Sequence, residues 1–174
     1  GFTLLEILVV VVIVGILTGT VIFSFTGADS EQRLKGTAQN LAARIELARQ
    51  HALQRNREWG IYVERDGYRF AEFDVETAQW VERENRPFNA AQVPAEMELR
   101  LKTSGVGEGP FADGEDLPQI VVFSSGEITP FTLYVEPDWD TEPWQVTSDS
   151  ISRATAGREG DENLSGSNTR AFSG

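Results

Sequence analysis

Few side chains in this sequence are suited to chemistry, and the one that stands out is a carboxylate in an apolar setting. Glu6 lies inside GFTLLEILVVVVIVGILTGTVIF, a stretch that is otherwise apolar or small from Phe2 to Phe23. Wound as a helix rising ~1.5 Å per residue, that stretch spans roughly 33 Å, enough to cross the hydrocarbon core of a bilayer with some tilt. An Asp at mid-helix costs about 2.5–3.5 kcal/mol on insertion scales, and a Glu near one end costs less but still needs a reason. Taken alone, Glu6 could complement the positive end of the helix dipole and reach the interface unpartnered.

The remaining candidates are weaker. Ser124-Ser125-Gly126 lacks the G-x-S-x-G context of a nucleophile elbow, and the single histidine, His51, falls on a helical pattern near Arg49 and Arg55, where it reads as part of a solvated face. No glycine loop follows a strand and opens a helix to cradle phosphate. Cysteine is absent, which removes disulfides and thiolate metal sites. Between Thr103 and Ser152 there is no Lys or Arg, while carboxylates accumulate, Asp113, Glu115, Asp116 and Glu136 among them. Neither D-G-E-D nor D-W-D-T-E has the ligand spacing of a calcium loop, so these read as solvated loops, with a surface for a basic neighbour as the functional alternative. A net charge of -12 argues against nucleic acid as a partner. The chain is therefore expected to have no catalytic residues, no metal and no cofactor.

The elements that position these residues are legible from periodicity. From residue 29 to 57 the apolar positions Leu34, Ala38, Leu41, Ile45, Ala48 and Ala52 recur at spacings of four and three, one stripe of an amphipathic helix, while Arg33, Lys35, Arg44, Glu46 and Arg49 decorate its other faces. Ser30 suits its N-cap and Asn56 its stop, and it can continue the apolar segment as one long helix. After Arg57 come six or seven β-prone runs, among them EWGIYVE, GYRFAEFD, MELRLK, QIVVFSS and FTLYVEP, with Arg65-Asp66-Gly67 as a hairpin turn. The four tryptophans are expected in the core or at its rim. The organisation expected is a membrane half-helix at 1–28, an amphipathic half at 29–57, a β-rich domain at 58–155, and a polar Gly/Ser-rich tail at 156–174.

GFTLLE followed by a long apolar helix resembles the leader-peptidase site and N-terminal helix of type IV pilins and type II secretion pseudopilins. VVFSSGEITPFTLYV is similar to the C-terminal strand pair of the GspH and FimT branch of that superfamily. The resemblance implies an α+β, type IV pilin-like fold and a structural role as a GspH-like minor pseudopilin, with a FimT- or FimU-like minor pilin of the type IV pilus as alternative and a membrane-anchored periplasmic hydrolase as a remote one. It implies prepilin-peptidase cleavage between Gly1 and Phe2, N-methylation of Phe2, and a role for Glu6 in meeting the N-terminal amine of a neighbouring subunit. No Lys or Arg precedes Arg33, so the cation available to Glu6 at its own depth is an α-amino group. The implied partners are the other minor pseudopilins, the major pseudopilin, the peptidase and the Gram-negative inner membrane, with the C-terminal domain in the periplasm.

Overall fold

The helical period carries through the whole N-terminal third: a single helix, α1, runs from Leu4 to Arg55. The computed structural model describes the backbone of residues 1, 3–103 and 117–161, and the side chains within those ranges except at 15–28. Because α1 is continuous, Ser30 does not cap a separate helix as expected. A cap requires non-helical backbone angles, and Ser30 lies within the helix, its hydroxyl accepting from Arg33 Nη2 at 3.5 Å. The chain divides into two compact units, Gly1–Arg33 and Leu34–Gly174.

In the second unit, α1 ends where the sequence indicates. Asn56 takes a positive φ of 52° and the Arg57 amide donates back to the Ala52 carbonyl at 3.2 Å, which satisfies an otherwise orphaned carbonyl of the last turn. The stripe Leu34, Ala38, Leu41, Ile45, Ala48 and Ala52 is at most 1% exposed throughout. It forms one wall of a single apolar core with Trp59, Ile61, Phe70, Met97, Ile120, Val122, Leu133, Val135 and Val146.

Among the described residues nine strands follow: β1 (Trp59–Val63), β2 (Gly67–Asp74), β3 (Gln79–Glu82), β4 (Ala91–Gln92), β5 (Met97–Thr103), β6 (Ile120–Val122), β7 (Phe131–Pro137), β8 (Trp144–Ser148) and β9 (Thr155–Gly157). They form two antiparallel sheets. One has the order β3-β2-β1-β6 with β4 also paired to β2, and the other the order β5-β7-β8-β9. The expectation of six or seven strands misses β4 and β9, each too short to show a period. β9 pairs with β8 and carries the sheet to Gly157, past the point at 156 where the tail was expected to begin. Residues 162–174, and the loop at 104–116, lie outside the described residues.

The hairpin at Arg65-Asp66-Gly67 closes as read, with the Glu64 amide donating to the Gly67 carbonyl at 2.8 Å and Val63 opposite Tyr68. Only glycine fits at position 67, since a Cβ there would lie 2.5 Å from the Ala91 carbonyl oxygen of β4. In β5, Met97 and Leu99 are buried while Glu98, Arg100 and Lys102 are exposed, the alternation of a half-buried strand.

The buried stripe makes a direct prediction for a chain beginning at Ser30, which should stay soluble and unfold cooperatively in urea. There Ile45→Ala, by deleting methylene and methyl groups from a fully buried site, should lower stability by about 2–5 kcal/mol. Gln50→Ala on the exposed face should stay within about 0.5 kcal/mol of the parent.

Candidate assembly site

In the N-terminal unit the start of α1 is organised by Thr3. Its carbonyl accepts from the amides of Glu6 at 3.1 Å and Ile7 at 3.3 Å, and its hydroxyl accepts from the Glu6 amide at 3.3 Å. Thr3 is thus the N-cap, and Glu6 occupies the first turn, where a negative charge complements the helix dipole. Attention to Glu6 alone misses Thr3. The signal is present in the sequence as T-x-x-E before an apolar run, the spacing of a capping box.

From Leu4 to Val14 the apolar side chains are exposed among the described residues. Leu4, Leu5, Ile7, Leu8 and every residue from Val9 to Val14 are 45–86% exposed, and consecutive positions cover all sides of the helix. A helix apolar all round is stable only when surrounded by lipid or by other apolar helices. Among the described residues no helix is long and apolar enough to cross a membrane. Phe2 and residues 15–23, the rest of the expected span, lie outside the described side chains. Glu6 is exposed, so the structure leaves its carboxylate open to a partner.

On the second unit, two arginines expected merely to decorate α1 instead fasten it to loops. Arg44 donates from Nε to the Pro87 carbonyl at 2.9 Å, from Nη2 to the Asn89 carbonyl at 2.6 Å and from Nη1 to the Tyr68 hydroxyl at 3.0 Å. Arg49 donates from Nη1 to the carbonyls of Ile151 at 3.0 Å and Gly126 at 3.3 Å. Nothing in the local sequence distinguishes them from solvated arginines, because their acceptors, backbone carbonyls and the Tyr68 hydroxyl, lie far along the chain. The reading of His51 as solvated is also corrected. It is partly buried, with ring centroids 4.9 Å from Phe88 and 5.8 Å from Trp59, and Trp59 in turn lies 4.4 Å from Phe88. Trp59 is core, Trp139 and Trp144 are partly buried against it, and Trp80 is partly buried with its ring 5.2 Å from that of Phe73.

The acidic stretch is less uncompensated than its sequence suggests, because antiparallel pairing brings in charges from outside it. Glu136 on β7 receives Arg100 of β5 at 2.5 Å, and that hydrogen bond raises the arginine's pKa. Elsewhere on β5, Glu98 does the same for Arg65 of the β1–β2 turn at 2.8 Å. Asp113, Glu115 and Asp116 lie outside the described residues. Of the candidate nucleophile and base, Ser124 donates its hydroxyl proton to Glu58 at 3.1 Å, while His51 is engaged with the aromatic cluster. Among the described residues no group of three or more His, Asp or Glu side chains could hold a metal ion.

A long N-terminal helix whose second half packs its apolar stripe into an antiparallel β-rich domain is the α+β, type IV pilin-like arrangement. The family model of the type II transport protein GspH matches residues 37–157, well over half of the chain, and the chain belongs to the GspH family. It is 34% identical over 143 residues to a type II secretion system protein H of Pseudomonas aeruginosa, covering 76% of this chain and 80% of that relative. The corresponding protein of Klebsiella michiganensis is 32% identical over 178 residues, covering 92% and 97% respectively. Among solved structures, the minor pseudopilin EpsH from the type II secretion system of Vibrio cholerae superposes with a TM-score of 0.61 at 27% identity, covering 75% of this chain and 96% of that one. The solution structure of Escherichia coli GspH shares the fold at 22% identity and a TM-score of 0.58.

The capping geometry predicts that Thr3→Ala costs the first turn about 0.5–2 kcal/mol. In the full chain held in detergent, exchange of the Glu6 amide should accelerate several-fold while the urea midpoint of the β-rich domain stays in place. Unchanged exchange at Glu6 would mean that Thr3 does not cap the helix.

Proposed function

We propose that this chain is a structural minor pseudopilin of a type II secretion system, anchored in the inner membrane by its N-terminal helix and drawn from there into a short periplasmic pseudopilus. The observation that carries the reading is the run of apolar side chains from Leu4 to Val14, exposed on all sides and broken by a single carboxylate in the first turn. Such a surface has no use on an isolated domain, but it suits a helix that passes from lipid into a bundle of like helices. Membership of the GspH family supports the secretion reading. In that role the chain would act by assembly and not by catalysis, with other minor pseudopilins and the major pseudopilin as neighbours. Prepilin peptidase would cut between Gly1 and Phe2 and leave Phe2 as the N-methylated first residue. A minor pilin of a type IV pilus is the second reading. The relatives described above, all named for type II secretion, favour the first, and a net charge of -12 disfavours a DNA-binding variant of the second.

Glu6 would set register during assembly by meeting the α-amino group of a neighbouring subunit. Pairing offsets part of the cost of placing a carboxylate in an apolar bundle, although buried pairs are seldom net stabilising, so register is the more natural benefit. Choice of neighbour would fall to the β-rich domain, because apolar helices of similar composition discriminate poorly among one another.

Two measurements test this reading. Intact mass of the chain recovered from membranes should correspond to a methylated product beginning at Phe2, and a mature chain that begins beyond Ser24 would contradict it. Glu6→Leu should leave membrane targeting intact, since it removes an insertion cost, and should reduce incorporation beside the major subunit several-fold. Glu6→Gln separates charge from size, and full incorporation of both variants would remove Glu6 from the assembly step.

A further inference from the structure

The loop between β8 and β9 combines two locally unfavourable features. Ser150 has a φ of 97°, a region that L side chains rarely adopt. The next residue, Ile151, is 78% exposed, more than any other large hydrophobic described outside the N-terminal unit. An ordinary surface loop would relax both. This one is held by a dense set of bonds. Asp149 Oδ1 accepts from the amides of Ser152 at 2.8 Å and Ile151 at 3.3 Å, and Oδ2 accepts from the Ser152 hydroxyl at 3.1 Å. Ser148 donates its hydroxyl proton to the Ser152 carbonyl at 2.9 Å. Ser150 and Ile128 are joined twice, through the Ile128 amide to the Ser150 carbonyl at 2.9 Å and the Ser150 hydroxyl to the Ile128 carbonyl at 3.0 Å.

These bonds join the loop to itself and to the segment before β7. The link to α1 is different in kind. Arg49 Nη1 donates to the Ile151 carbonyl at 3.0 Å and to the Gly126 carbonyl at 3.3 Å, so one guanidinium nitrogen ties the helix at once to this loop and to the turn after β6. Arg49 is itself aimed by Glu46, one helical turn earlier and 3.2 Å from its Nε. Arg153, at the end of the same loop, approaches the Glu46 carboxylate at 3.9 Å. Both side chains of the Glu46–Arg49 pair are largely sheltered, at 15% and 17% exposure, so their geometry is defined by packing as well as by charge.

We propose that Arg49 is a latch: engaged, it holds the 149–152 loop in the strained conformation that presents Ile151, and released, it lets the loop open. With the latch released, the Ile151 carbonyl loses its charged donor, and the bonds to Asp149 and Ile128 alone oppose the return of Ser150 to negative φ. That return rotates the Ser150–Ile151 peptide away from Ile128. The last turns of α1 and the position of Ile151 are thereby coupled through one side chain, so a displacement of the helix end is passed to the loop before it disturbs the core. Arg49 acts here as a positioning residue. The device is independent of what the surface of the loop meets and of the function proposed above.

Amide exchange in the full chain in detergent tests it, because exchange reports local opening separately from global unfolding. In Arg49→Gln, exchange at Ile128, Ile151 and Ser152 should accelerate about tenfold relative to the parent, with Glu64 in the β1–β2 turn unchanged as an internal reference. Arg49→Lys, which keeps a charged donor, and Glu46→Gln, which leaves Arg49 in place but loosens its aim, should each give a smaller acceleration confined to the same amides. Ile151→Ala should leave all four amides as they are in the parent. Equal acceleration at Glu64, or no acceleration at the three loop amides in Arg49→Gln, would overturn the latch. Should Arg49→Gln fail to fold, the Arg49→Lys and Glu46→Gln pair decides on the same criterion.

Discussion

The constraint on which the rest of this structure depends is that one helix must satisfy two environments. At its start, α1 carries apolar side chains on every side, and the apolar run from Leu4 to Val14 is left 45–86% exposed among the described residues. At its end, the same helix narrows its apolar surface to the stripe Leu34 to Ala52, which is buried completely. The switch follows from the sequence: charged residues are confined to Glu6 until Asp29, and from there they return at the intervals that leave one face apolar. The β-rich domain exists as a folded unit because that stripe supplies one wall of its core.

The two sheets explain how a domain of modest size can hold such a helix. In β5 and β7 buried positions alternate with more exposed ones, so that sheet has one face to bury and needs another element against it. Aromatic packing of Trp59, Phe88, Phe70 and His51 fills the space beside α1, and Arg44 and Arg49 fix the helix to loops by hydrogen bonds to backbone carbonyls. Bonds from a charged donor are stronger than neutral ones and directional, so they add a defined orientation to the apolar packing that seats the helix.

Much of this was legible beforehand, for identifiable reasons. The stripe, the stop at Asn56, the hairpin at Gly67 and the alternation in β5 all depend on neighbours within a few residues, which is the range over which sequence patterns carry information. What was missed depends on distant partners. β4 and β9 exist only because β2 and β8 offer them an edge, and Arg44 and Arg49 find acceptors 24 to 102 residues away. His51 was misjudged because its aromatic neighbours arrive from β1 and from the loop before β4. Thr3 is the exception, since the signal for its capping role, T-x-x-E, is local. At the candidate site, the resemblance supplies the roles proposed for Gly1, Phe2 and Glu6, while physical reasoning alone reaches only a misplaced charge.

The central claim is that the apolar start of α1 is covered by helices of other subunits once the fibre forms. A photo-crosslinking side chain at Val10, activated in membranes with and without the major subunit, reads this directly. The account predicts lipid adducts when the chain is expressed alone and a shift to protein adducts with the major or another minor subunit when these are present. Adducts confined to the chain's own residues 34–161 under both conditions would contradict it.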